Sequence, residues 1–187
     1  VRWAQFFKFA ICGSYIAKQD GRYFNRAFFV EPSGDMTFYD KRHLNFIGQE
    51  HNCYEKGTRQ SPIIRFRGWN ITIQICYDVR FPIWCRNRDN KVDLMLVPAN
   101  WQQKRSSQWK HLLIARAIEN QIYVVGGKDD EGAYDDMSYI FDYNGESIDI
   151  KSAKSSKIIY ANLDKSLLRK NRIELPANKD ADSFELL

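Results

Sequence analysis

The sequence predicts a mixed α/β layered fold, and three observations carry that expectation. Apolar runs of strand length are interleaved with stretches whose apolar residues recur every three or four positions. Short turn signals, QDGR and EPSGD, sit between the early runs and mark hairpins. An amphipathic stretch over 104–120 then separates two continuous apolar runs, VDLMLVP (92–98) and IYVVGG (122–127), as in a strand–helix–strand crossing.

In chain order, Trp3, Phe6, Phe7 and Ala10 fall at helical spacing, so the chain is expected to begin partway through a helix. The runs ICGSYIAK (11–18), YFNRAFFV (23–30) and MTFYD (36–40) read as three strands. A polar, irregular stretch from Lys41 to Gln60 is long enough to be a functional loop. PIIRF and NITIQIC read as strands around the turn RGWN, and residues 80–90 as a short helix. Between Lys104 and Asn120, Trp109, Leu112, Leu113 and Ala117 line one helical face. The end of the chain gives a hairpin around YNGE (143–146), a strand KIIYANL (157–163) and a polar tail. There is no repeat, low-complexity segment or linker, so residues 1–187 are expected to form one domain.

Composition narrows the function. Hydrophobic residues make up 44% and charged residues 27%, ordinary globular usage, and no apolar run reaches membrane-spanning length. The charge of +5 comes from scattered basic residues, densest between Lys151 and Arg172, and no nucleic-acid-binding module accompanies them. Neither nucleic acid nor membrane is expected as a partner. The opening segment lacks a signal-peptide pattern, which makes the cytoplasm the expected location. Cys12, Cys53, Cys76 and Cys85 form no CxxC pair and have no His at zinc-like spacing, so free thiols are expected and no metal site.

Of these thiols, Cys76 stands out. It ends an apolar strand just before polar Tyr77-Asp78, where backbone N–H groups at the start of a helical turn could stabilise a thiolate and later an oxyanion. Position alone favours a buried structural cysteine. Lys41, in YDKRHLNF, could hold an oxyanion or belong to a solvated charged turn. His43 could be a general base or a loop histidine bonded to backbone. Glu50 and Glu55 are equal candidates, by composition, for a base or a lysine-orienting group. Asn100 and Trp101 follow a buried strand, where pockets commonly open, or are a turn residue and a packed aromatic. Arg80 could clamp a carboxylate or pair with Asp78. In Arg116–Asn120 the charges read as braces for helix packing or a subunit contact.

The segments YDKRHL, CYDVRFPIWCRN, VPANWQQKR and ARAIENQIYVVG, in this order, together with DADSFEL, closely resemble the carbon–nitrogen hydrolases of the nitrilase superfamily, above all its bacterial omega-amidase branch. The resemblance implies a four-layer α-β-β-α sandwich, paired into a homodimer or higher homo-oligomer, and a Glu–Lys–Cys triad with a second glutamate. By motif, Cys76 matches the nucleophile and Lys41 the lysine. Glu50 matches the second glutamate, because Gly57 follows it in register. Tyr77, Arg80, Asn100 and Trp101 match substrate-binding positions. The family's first glutamate lies upstream of the lysine, whereas the first glutamate here is Glu31, in a hairpin connection. With no starting Met, the chain is therefore expected to be N-terminally incomplete. Asn45-Phe46 is a smaller departure, since relatives put Phe directly after Leu.

The implied reaction is hydrolysis of a small primary amide, an omega-amide of a 2-oxo acid such as 2-oxoglutaramate, through a cysteine thioester, with no metal or organic cofactor. Alternatives are an N-carbamoyl-amine or aliphatic-amide hydrolase on the same scaffold, or a non-catalytic nitrilase-like protein. A redox-sensing thiol is weaker still, since no resolving cysteine lies close in sequence.

Overall fold

The computed structural model describes residues 1–128, 138–151 and 158–185. Its frame is a pair of stacked β-sheets. Strands β1 (Ile11–Gln19), β2 (Arg22–Val30) and β3 (Met36–Asp40) form an antiparallel meander, as their alternating patterns and turn residues predict. The second sheet contains β4 (Ile64–Phe66), β5 (Trp69–Ile73), β6 (Leu94–Ala99), β7 (Tyr123–Lys128) and β8 (Tyr139–Phe141), in that spatial order. The three central strands, β5 to β7, run parallel, while β4 and β8 pair antiparallel at the edges. β6 and the start of β7 are continuous apolar runs because both of their faces are covered, whereas β5 alternates, with Asn70 and Thr72 between Trp69, Ile71 and Ile73.

On one face of the five-stranded sheet, Ile71, Ile73 and Leu94 pack with Ala27, Phe29 and Tyr39 of the meander. On the other face, Met95, Val97 and Val124 meet Trp109, Leu113 and Ala117 of a helix, Ser106–Asn120, which matches the predicted amphipathic stretch. Leu112 lies at the margin of that face, only partly buried. Each fully buried Ile, Leu or Val contributes about 1.5–3 kcal/mol. Gly126 sets how deep this helix sits: a Cβ there would lie 2.3 Å from Leu113 Cδ1 and 2.8 Å from Trp109 Cζ2.

The structure departs from expectation in three places. The first helix, α1, covers only Arg2–Phe7 and buries Ala4, leaving Trp3, Phe6 and Phe7 exposed; Lys8, at φ 59°, ends it. Residues 80–90 are not a helix. Pro82 disfavours helical geometry at Phe81, which is extended (φ −111°, ψ 89°), and the helical turns are 3-10 segments at Cys76–Arg80 and Arg88–Asn90. The strand expected over 157–163 is confined to β10 (Ile159–Tyr160), paired with β9 (Ile150–Lys151), and position 157 lies outside the described residues.

The polar tail also holds a helix that the sequence pattern did not reveal. In chain order the helices are α1, a single turn α2 (Glu50–Cys53), the long α3 already described (Ser106–Asn120) and this one, α4 (Lys165–Glu174). Asp164 caps α4 by accepting from Ser166 N at 2.7 Å and Leu167 N at 3.3 Å, worth about 1 kcal/mol. Lys165 Nζ and Arg172 Nη1 both donate to buried Asp93, at 2.6 and 3.2 Å. Arg172 Nη2 also donates to Val92 O at 2.6 Å, and Nε to Gln121 O at 3.1 Å. This cluster sits at the N-terminal ends of the parallel strands. Among the described residues no helix is long and apolar enough to cross a membrane.

Candidate active site

The opposite ends of these strands gather the candidate residues. After β5 the pairing continues for one residue, Gln74 N donating to Leu96 O at 2.9 Å, and the chain then turns sharply at Cys76. Cys76 has φ 46°, a left-handed conformation that costs a non-glycine residue about 1–3 kcal/mol. The turn lifts the thiol off the sheet toward the end of β6, where Cys76 Sγ donates to Asn100 O at 3.4 Å. Burial, the largest influence, pushes the thiol pKa up; the Lys41 charge pulls it down, while those of Glu50 and Asp78 oppose that pull.

Lys41 follows β3 and is 2% exposed, so the solvated charged turn is excluded. Its backbone is held from both sides: N donates to Asn25 O at 2.9 Å, and O accepts from Gly57 N at 2.8 Å. Only glycine allows that second approach, since a Cβ at position 57 would fall 2.0 Å from Asp40 O. Lys41 Nζ donates to both oxygens of Glu50, at 2.8 and 2.6 Å. Glu50 in turn accepts from Asn25 Nδ2 at 3.3 Å and Asn45 N at 2.6 Å, so the carboxylate is fixed by three donor groups. Glu55 is exposed and tied through its own N–H to Tyr23 O at 2.8 Å, which leaves Glu50 as the partner of the lysine. Glu31 sits in the β2–β3 turn, at the opposite end of β3 from Lys41.

Neither Asn25 nor Asn45, the latter noted only as a departure from the family pattern, is a site residue by sequence. A signal for Asn25 existed: it is a polar residue on the face of β2 that otherwise carries Ala27 and Phe29. Asp78 was considered only as a partner for Arg80, and the structure gives it a different place. It is fully buried, accepting from Tyr39 Oη, Ile75 N, His43 N and His43 Nδ1. His43 stacks on Phe81 with ring centres 3.7 Å apart; its ring binds this carboxylate, neither a backbone group nor the Cys76 thiol.

Arg80 does not pair with Asp78. Its Nη2 donates to Gln108 Oε1 at 2.7 Å, and the guanidinium lies 4.8 Å from the Trp101 ring centre and 5.6 Å from that of Tyr77. Trp101 is buried, bonded through Nε1 to Arg105 O at 2.8 Å and packed on Trp109. Asn100 is exposed beside the thiol. The structure thus brings Cys76, Lys41, Glu50 and Asn100 into one constellation, with Tyr77, Arg80 and Trp101 stacked beside it. Arg116 pairs with Glu119 at 2.9 Å, and Asn120 Oδ1 accepts from Asn87 N at 2.8 Å, which are bracing contacts. Among the described residues no cluster of three or more His, Cys, Asp or Glu side chains is placed to hold a metal ion.

A half-buried cysteine on a strained strand-to-turn corner, facing a buried lysine chelated by a glutamate, suits nucleophilic attack on an acyl carbon. The sequence profile of the carbon–nitrogen hydrolases matches residues 2–173. The chain belongs to that family. Omega-amidase YafV of Escherichia coli K12 is 43% identical over 181 residues, covering 94% of this chain and 70% of that protein. The 2-oxoglutaramate amidase of Bacillus subtilis is 28% identical over 91% of this chain and 67% of its own length. Among solved structures, XC1258 from Xanthomonas campestris, a CN-hydrolase superfamily protein with an arsenic adduct in its active site, superposes with TM-score 0.88 and 33% identity, over all of this chain and 76% of that one. Saccharomyces cerevisiae Nit3, of the nitrilase superfamily, shares the fold at TM-score 0.81 and 22% identity, over 94% of this chain and 67% of that one. The α/β sandwich expected from the motifs is the fold of this family member.

Proposed function

We propose that this carbon–nitrogen hydrolase cleaves the omega-amide of a 2-oxo acid, with 2-oxoglutaramate as the representative substrate, and that Cys76, Lys41 and Glu50 carry the reaction. The observation that carries the reading is the buried Lys41–Glu50 pair, whose lysine charge acts directly on the Cys76 thiol. Its substrate class is supported by similarity to proteins named omega-amidase and 2-oxoglutaramate amidase.

Cys76 Sγ attacks the amide carbon, and the oxyanion that forms is held by Lys41 Nζ and the backbone N–H of Tyr77. A preorganised donor of this kind is worth about 10²–10³-fold in rate. Because burial keeps the thiol above its ordinary pKa, its proton passes, as sulfur attacks, to a carboxylate base in the role of the family's upstream glutamate, which hands it to the departing nitrogen. The C–N bond breaks and ammonia departs with that proton. Water then adds to the thioester carbonyl, the C–S bond breaks, and the carboxylic acid leaves with the free thiol restored. Glu50 holds Lys41 Nζ in place, aimed at the acyl oxygen. Arg80, flanked by Trp101 and Tyr77, offers its remaining guanidinium N–H groups to the substrate carboxylate, beside Asn100.

We further read the described residues as one domain, since β6 and β7 contribute to both apolar clusters. A cytoplasmic homo-oligomer completes the proposal; light scattering of the purified protein reads its size. The decisive test is ammonia release from 2-oxoglutaramate by Cys76→Ala. Complete loss supports the assignment, and undiminished release would sink it.

A further inference from the structure

The mechanism above leaves the buried carboxylate of Asp78 without a role. Asp78 is fully buried, yet its carboxylate meets four donors. Oδ1 accepts from His43 N at 2.9 Å and from His43 Nδ1 at 2.8 Å. Oδ2 accepts from Tyr39 Oη at 2.9 Å and from Ile75 N at 3.2 Å. The Tyr39 hydroxyl is itself fixed, accepting from Trp84 Nε1 at 3.0 Å.

The positions of these donors are what matters. Tyr39 and His43 stand two residues before and two residues after Lys41. Ile75 immediately precedes Cys76, and Asp78 lies two residues beyond it. One rigid carboxylate therefore bridges the chain segments that bracket the lysine and the thiol. Those segments come from different sheets, β3 from the meander and β5 from the five-stranded sheet, and sheet stacking alone does not set their spacing to a fraction of an ångström. Cys76 also sits in a left-handed conformation that its own backbone does not favour, and such conformations persist only where the surroundings over-determine them. The bond from Ile75 N to Oδ2, with Asp78 N donating back to Ile75 O at 3.0 Å, closes the corner around Cys76.

We propose that Asp78, oriented by Tyr39, is a positioning residue that locks the Cys76 corner to the Lys41 segment and so fixes the attack geometry. This rests on the assignment of Cys76 and Lys41 made above. Asp78 touches neither Arg80 nor Trp101 among the described contacts, so its effect falls on turnover and not on substrate binding.

The conservative variant Asp78→Asn keeps one acceptor oxygen but presents an amide nitrogen where the second oxygen accepted. Facing Tyr39, that nitrogen can donate to a rotated hydroxyl, but it cannot accept from Ile75 N, so the corner loses its tie. Expected with 2-oxoglutaramate is a kcat, counted per folded molecule, lower by about 10- to 100-fold, with KM within about twofold. Parent-like circular dichroism and a single size-exclusion peak define the folded fraction that is counted. Tyr39→Phe leaves the carboxylate in place but frees it to turn, and is expected to lower kcat by about threefold, again without raising KM. A kcat per site within about twofold of the parent in Asp78→Asn, or a KM that rises in step, overturns the proposal. If Asp78→Asn yields no folded protein, Tyr39→Phe decides: a fall in kcat alone supports the lock, and an unchanged kcat overturns it. Failure of the underlying assignment shows itself separately, as ammonia release that survives Cys76→Ala.

Discussion

The parallel strands end in two buried ionic clusters of opposite character. At their N-terminal ends Asp93 lies between Lys165 and Arg172, and the two cations also donate to carbonyls of Gly68, Val92 and Gln121. These charges are spent on one another and on backbone, and the result pins α4 to the sheet. At the C-terminal ends Lys41 meets a single carboxylate, and the pair's charges act on the partly buried thiol of Cys76. Similar bonds thus sit in different settings: one cluster is closed on itself and on backbone, and the other lies beside the thiol proposed as the nucleophile. Burial of an ion pair is therefore no guide to its purpose; what the pair faces is the guide.

The sharpest way to break this contrast is to remove the cation at the open end. Lys41→Met is expected to lower kcat with 2-oxoglutaramate by about 10³-fold, the cost of losing an oxyanion donor and the charge that favours the thiolate. Because the cation pulls the Cys76 pKa down, its loss should also slow iodoacetamide labelling of Cys76 at pH 8, followed by mass spectrometry. The same operation at the closed end, Asp93→Ala, strands two cations and should cost about 3 kcal/mol in urea unfolding. Its activity per folded molecule should stay at the parent level. A comparable loss of kcat in Asp93→Ala would erase the distinction.

The smallest effect sharpens it most. Glu50→Gln should lower kcat by about tenfold, since Lys41 loses its orienting charge. Yet the Glu50 charge pushes the Cys76 pKa up, so its removal should speed iodoacetamide labelling at pH 8. Opposite signs for labelling and turnover in one variant would separate the electrostatic from the positional contribution of the glutamate. Slower labelling would show that Glu50 acts on the thiol through Lys41 alone.

Legibility in the sequence followed the range of the interactions. The meander and the β6–α3–β7 crossing were readable because their periodicity is local and their faces are strongly apolar. Helix α4 was not: among its apolar residues Leu168 is buried while Leu167 and Ile173 are exposed, and its anchors reach Asp93, more than 70 residues away. Over 80–90 the composition suits a helix, but Pro82 disfavours helical geometry at Phe81 and breaks it there. At the site, Lys41, Glu50 and Cys76 came from motif and register. Asn25, Asn45 and the four-donor environment of Asp78 depend on the loop of residues 41–60 folding back against β2 and the turn at Cys76–Arg80, which no periodicity records. Arg80 illustrates the limit: its residue type suggested a carboxylate contact, but its setting between Tyr77, Trp101 and Gln108 exists only in three dimensions.

The left-handed corner at position 76 has an evolutionary consequence. Backbone geometry there suits glycine better than cysteine, so a nucleophile at this corner would be kept only against local conformational preference. Lineages released from the need for the activity would lose little foldedness, and some would gain it, by discarding the thiol. Survival of a cysteine at this corner across related genomes therefore reports continuing selection on turnover more directly than survival of any residue in the core.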